Sequence, residues 1–179
     1  MTRRNLLLIL VKAGLLIGLT AFAAVFMKGL LAPGQDSGDL IDVGGMALGS
    51  ARLAGWDGKP VWVVNRSRQQ LRELDALTDY VVKADDAGNP ALDNPGRSLE
   101  PAFGIYLAHT ARPGVIVQYT LSRPAGLGDE IPWFGGFVDP ASGALFDVAG
   151  RRYRATTGGP LQVPPHRFVG PGIVQLGQW

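Results

Sequence analysis

The chain has 179 residues, 46% of them hydrophobic and 18% charged, with 25 glycines and 13 prolines, a length and composition that suit one loop-rich globular domain and leave no room for a second catalytic module. It has no cysteine and two histidines, His109 and His166, which excludes thiol catalysis, disulfides, cysteine zinc sites and cysteine-ligated clusters. The formal net charge of +2 is no sign of a nucleic-acid partner. Arg3, Arg4, Lys12 and Lys28 precede residue 35 and all 15 acidic residues follow it, so the rest of the chain is slightly acidic.

In chain order, residues 1–5 are short and basic, and 6–31 is an apolar run interrupted only by Lys12 and Lys28. As a helix it would measure about 39 Å against a hydrocarbon core of about 30 Å, so it is predicted to cross a bilayer with both lysines near the interfaces. Arg3, Arg4 and Lys12 place the N-terminus in the cytoplasm and the remainder outside. Ala21-Phe22-Ala23 would suit signal cleavage, but the run stays apolar through Leu31, which favours a retained anchor. Thr2-Arg3-Arg4 before this run resembles a twin-arginine export signal. Gly14 and Gly18 form a small-xxx-small spacing suited to packing against other membrane helices. Residues 32–45, with Pro33 and several glycines, read as a flexible tether.

The body, 46–179, is predicted to be mainly β. Trp56-Asp57-Gly58-Lys59 is a turn between 50–53 and Val61–Val64, which gives a hairpin. Ser67 and Gln70 form a capping box ahead of Leu71, Leu74 and Leu77, which gives one short amphipathic helix. Residues 85–101 read as a loop. Short β-like runs follow at 103–108, 115–121, 134–138, 145–148, 151–155 and 161–163, separated by Gly/Pro turns, a pattern of antiparallel strands in a sandwich or barrel.

Local strings carry a family resemblance over nearly the whole chain. Gly58-Lys59-Pro60-Val61-Trp62-Val63 resembles the G-K-P-V-x-V strand of Rieske iron-sulfur subunits of cytochrome bc complexes, and 94–101 (NPGRSLEP) resembles their N-x-x-R-S-x-x-P approach to the first cluster loop. The segment 135–151 (GGFVDPASGALFDVAGR) is similar to the second cluster loop, G-G-F-x-C-P-C-H-G-S-x-F-D-x-A-G-R, and 161–165 (LQVPP) to the closing L-x-V-P-P. The resemblance implies a Rieske-like β-sandwich head on a single membrane anchor, facing the periplasm of a bacterial inner membrane. It also implies, as partner, a cytochrome bc complex or its supercomplex with a terminal oxidase.

The chemistry does not follow the resemblance. In the family's second loop the first cysteine and the histidine bind iron and the middle cysteine forms a disulfide; here these positions read Asp139, Ser142 and Ala141. The first loop, C-T-H-L-G-C, matches 110–115, so its two ligands become Thr110 and Arg112 and its disulfide cysteine Val115. The expectation is therefore a non-enzymatic accessory subunit with no cofactor. The alternative is a periplasmic binding or assembly factor for respiratory proteins.

Other residues offer weaker chemistry. His109 adjoins the first loop, but one histidine does not hold a transition metal. Asp139 and Asp147 could form a carboxylate pair, yet Asp147 matches a family aspartate and reads as a turn residue. Ser142-Gly143 lacks the surroundings of a nucleophile turn. Arg151, Arg152 and Arg154 form the densest charge cluster, either a solvated strand face or a contact for an acidic partner or lipid phosphate. Trp179 is the further candidate partner contact.

Overall fold

A computed structural model describes residues 39–82, 89–110 and 114–179. The chain divides into two compact units, 1–35 and 36–179, and the described residues all lie in the second. The expected membrane span with Gly14 and Gly18, most of the tether, and Arg112 lie outside the described residues. Among those described, no helix is long and apolar enough to cross a membrane.

The expected hairpin forms. Strands β2 (Ser50–Trp56) and β3 (Lys59–Asn65) pair antiparallel from Trp56 opposite Lys59 to Ser50 opposite Asn65. Asp57 (φ 48°) and Gly58 (φ 70°) both take positive φ, which the two-residue turn compatible with strand twist demands. Strand β4 (Phe103–Leu107) adds to β3, completing the sheet β2-β3-β4. Two further three-stranded antiparallel sheets complete the fold. One is β1 (Leu40–Asp42), β9 (Ile173–Leu176) and β8 (His166–Gly170), with β9 central; the other is β5 (Gln118–Thr120), β6 (Gly136–Val138) and β7 (Leu145–Asp147).

The expectation of a mainly β head with one short helix holds, but three small sheets stand where a sandwich of two was expected. The alternation along β3 and β4 explains it. Val61, Val63, Ile105 and Leu107 point to one side and pack with Ile41, Val43, Val174 and Leu176 of the β1-β9-β8 sheet. Val64 and Tyr106 point to the other and pack with Phe137, Phe146, Leu161 and Val163. A sheet apolar on both faces needs cover on both, so the middle sheet is buried between two cores.

Helix α1 (Arg68–Glu73) opens with the expected capping box: Ser67 Oγ accepts from the Gln70 amide at 3.2 Å, and the Ser67 amide donates to Gln70 Oε1 at 2.9 Å. It is shorter than the leucine spacing suggested, with Leu74 already its C-cap. Leu74 and Leu77 still bury, against Val148 and Ala149 and against Leu145 and Tyr153 respectively.

The structure differs from the expected elements in several places. Within the expected tether, Leu40–Asp42 is a strand paired with β9, so the head begins before residue 46. The expected strands at 151–155 and 161–163 make no ladder. Arg152 and Tyr153 form isolated bridges to Phe146 and Val81, and Leu161 and Gln162 bond singly to Gly150 and Leu107. The loop at 85–101 contains a 3₁₀ turn, Pro90–Leu92. Strands β8 and β9, unanticipated, are joined by Pro171-Gly172, with Gly172 at φ 70°.

Candidate functional site

Two loops meet at one end of the head: the one between β4 and β5, of which 108–110 and 114–117 are described, and 139–144, between β6 and β7. With the β2–β3 turn and residues 157–160 they line an open groove of about 940 Å³, whose walls include Lys59, His109, Ile116, Ser142, Phe146 and Pro160.

Asp139 sits at the junction and is 1% exposed. Its Oδ1 accepts from the Ala141 amide at 2.9 Å, and its Oδ2 accepts from the Ser142 hydroxyl at 2.7 Å and from the Thr110 hydroxyl at 2.9 Å. The backbone closes the same turn, with the Asp139 amide donating to Ala144 O at 2.9 Å and the Gly143 amide to Asp139 O at 2.8 Å. Burial pushes the Asp139 carboxyl up, but the donors on Ser142, Ala141 and Thr110 outweigh it and hold it below the usual carboxylate value. The site is thus an ionised carboxylate held by several hydrogen-bond donors, one of which comes from the other loop.

Three of the expected positions, Thr110, Asp139 and Ser142, are therefore brought together. Ala141 contributes a backbone donor to the cluster and Val115 lines the groove. Half-buried His109 also lines the groove, with Nδ1 donating to Thr110 O at 3.2 Å. Among the described residues no three His, Cys, Asp or Glu side chains group as metal ligands.

Asp139 and Asp147 serve separate turns. Asp147, fully buried, accepts from the amides of Ala149 and Arg151, each at 2.9 Å, and pairs with Arg151 Nε at 2.7 Å. Arg151 therefore departs from the expected exposed cluster. It is 4% exposed, and its Nη2 donates to Leu74 O. Arg152 is half-buried and donates to the carbonyls of Tyr153 and Thr156. Only Arg154 of the three is exposed, with Nε on Val81 O at 3.0 Å. Trp179 is 47% exposed and packs at 5.9 Å on the ring of buried His166.

Two buried arginines escaped the sequence reading. Arg66, 1% exposed, donates to Val148 O, Ser98 Oγ, Pro101 O, Gly96 O and Tyr106 Oη. Arg97, 3% exposed at φ 49°, donates to Ala149 O, Gly150 O and Leu161 O. The string 94–101 was the available signal for Arg97. For Arg66 there was none, since its acceptors are carbonyls and two hydroxyls scattered along the chain.

No family model matches the chain. It is 29% identical to the ubiquinol-cytochrome c reductase iron-sulfur subunit of Allochromatium vinosum, over 76% of this chain and 68% of that one. It is 28% identical to the same subunit of Rhodobacter capsulatus, over 76% and 73%. Curated relatives of this chain are Rieske iron-sulfur subunits. The subunit of Blastochloris viridis matches at 24% identity over 98% of this chain and 93% of its own. A solved chain from a hyperthermophilic respiratory complex III aligns with a TM-score of 0.45 and 16% identity, covering 96% of this chain and 99% of that one.

A Rieske centre takes two thiolates on one iron and two imidazoles on the other. The chain has no cysteine, and the positions that the resemblance of 110–115 and 135–151 sets against the cluster's ligands read Thr110, Arg112, Asp139 and Ser142. With the Asp139 oxygens already occupied by N–H and O–H donors, this donor set does not fit the cluster.

Proposed function

We propose that this chain is a cluster-free, non-catalytic Rieske-like subunit of a bacterial respiratory membrane complex, with a structural or docking role. The kinship with Rieske subunits supports a complex of the cytochrome bc kind, alone or joined to a terminal oxidase. The apolar run 6–31 supports a single inner-membrane anchor with the head in the periplasm. The observation that carries the reading is the hydrogen-bonded set Thr110–Asp139–Ser142, three residues that the resemblance sets against cluster ligands. It keeps the two loops joined with groups that cannot hold the cluster.

Purification of the tagged full chain in mild detergent tests the reading, followed by mass spectrometry, iron analysis and electron paramagnetic resonance. Respiratory subunits are expected in fixed ratio with the chain, and no Rieske signal assigned to it. Recovery of the chain alone, or a Rieske signal that follows it, overturns the reading. Sub-stoichiometric capture of shifting partners replaces it with the assembly-factor alternative.

A further inference from the structure

Thr110 and Asp139 are 29 residues apart and belong to different loops, yet their side chains meet at 2.9 Å. The other two donors on the carboxylate, the Ala141 amide and the Ser142 hydroxyl, come from its own loop. One oxygen therefore serves the local turn, and the second is shared between that turn and the neighbouring loop. A charged acceptor out of water strengthens each such bond. Removing a single hydroxyl should be felt on both sides of the junction.

We propose that Asp139 is a metal-independent latch: its carboxylate ties Thr110, just after β4, to the 139–144 loop, so that the two segments are held together with no metal loaded. The proposal rests on the reading above in taking these positions as the former ligand sites. Thr110 and Ser142 are positioning residues in it, acting on the groove surface through Asp139. The latch gives the groove a fixed shape even though the donors that a cluster would need are absent.

Hydrogen exchange of the full-length chain in detergent, read by mass spectrometry, tests it. In Thr110→Val, amides in both 114–117 and 139–144 are expected to exchange about tenfold faster or more, the size of one charged hydrogen bond lost from a local opening. Thr110→Ser, which restores the hydroxyl, should return both loops to the wild-type rate. EDTA should leave wild-type exchange unchanged. Strands β1, β8 and β9 serve as the folding control and should keep their rates.

Two results overturn the proposal. Exchange in Thr110→Val within about twofold of wild type in both loops would leave Asp139 as a local turn residue. Loosening of the wild-type loops by EDTA would mean that a metal does the tying. Neither result touches co-purification with respiratory subunits, so failure of the latch and failure of the proposed function are read in separate experiments.

Discussion

Replacing Asp147 by alanine removes three partners at once: the amides of Ala149 and Arg151 and the Arg151 guanidinium. Asp147 is 0% and Arg151 5% exposed at the side chain, so water cannot restore what is lost. Breaking a buried pair from one side leaves an uncompensated cation and costs about 3–5 kcal/mol. The two orphaned amides put the expectation at the upper end, since each lost a charge-assisted bond. At about 2–4 °C per kcal/mol for a chain of this size, the melting temperature should fall by about 10–15 °C. Thermal unfolding of the purified chain, followed by circular dichroism, measures it. In the double variant Asp147→Ala/Arg151→Met the buried cation is gone too, and part of the loss should be recovered. A loss below about 1 kcal/mol in Asp147→Ala, or a double variant that is additive, refutes the reasoning.

Other outcomes follow from the same geometry. Burial pushes His166 below its ordinary value, only partly offset by Pro164 O, and its Nε2 has no hydrogen-bond partner among the described residues. The unfolded chain therefore takes up a proton first, and stability present above about pH 6.5 should decline as the pH falls. His166→Phe should flatten that decline in melting temperature between about pH 7.5 and 5. Asp139, held below its ordinary value, has the same sign at lower pH. Its contribution is complete above about pH 4 and is lost as the pH drops through the folded value, so Asp139→Asn should shrink the acid dependence of melting. Gly136→Ala drives a Cβ into Phe146 O in the β6–β7 pair; overpacking against backbone should cost about 1–3 kcal/mol by denaturant titration. Ser67→Ala should cost about 1 kcal/mol through the lost N-cap, measured the same way.

Where local chemistry decides structure, the chain was readable. Asp57-Gly58 announced a two-residue turn, Ser67 and Gln70 announced a helix start, and both stand as expected. The string 135–151 brought Asp139 and Ser142 to one loop, and the matching of 110–115 set Thr110 opposite them. What could not be read was set by distant partners. The sequence Leu40–Asp42 resembles tether until β9, more than 130 residues later, supplies its ladder. The run 151–155 has strand composition but turns away after single bridges, because Arg151 is drawn inward by Asp147. Its burial also dissolves the supposed surface patch, since a charge cluster in sequence says nothing about which guanidinium finds an internal carboxylate.

The β6–β7 hairpin is held at both ends by different means, and this bears on how the head keeps its form independently of the groove. Near the groove, Asp139 collects donors from its own loop and from Thr110. After β7, the turn is clamped by Asp147 from within and by Arg66 and Arg97, whose guanidiniums grip the carbonyls of Val148, Ala149 and Gly150. These arginines reach further, to Gly96, Pro101 and Leu161, and so tie the 94–101 string and the 161–163 segment to the same turn. None of the bonds made by Asp147, Arg66 and Arg97 involves Thr110, Asp139 or Ser142. The strands beneath the groove therefore owe their placement to a buried network anchored elsewhere, and substitution at Thr110, Asp139 or Ser142 acts on the closure of the two loops while the sheets below keep their register.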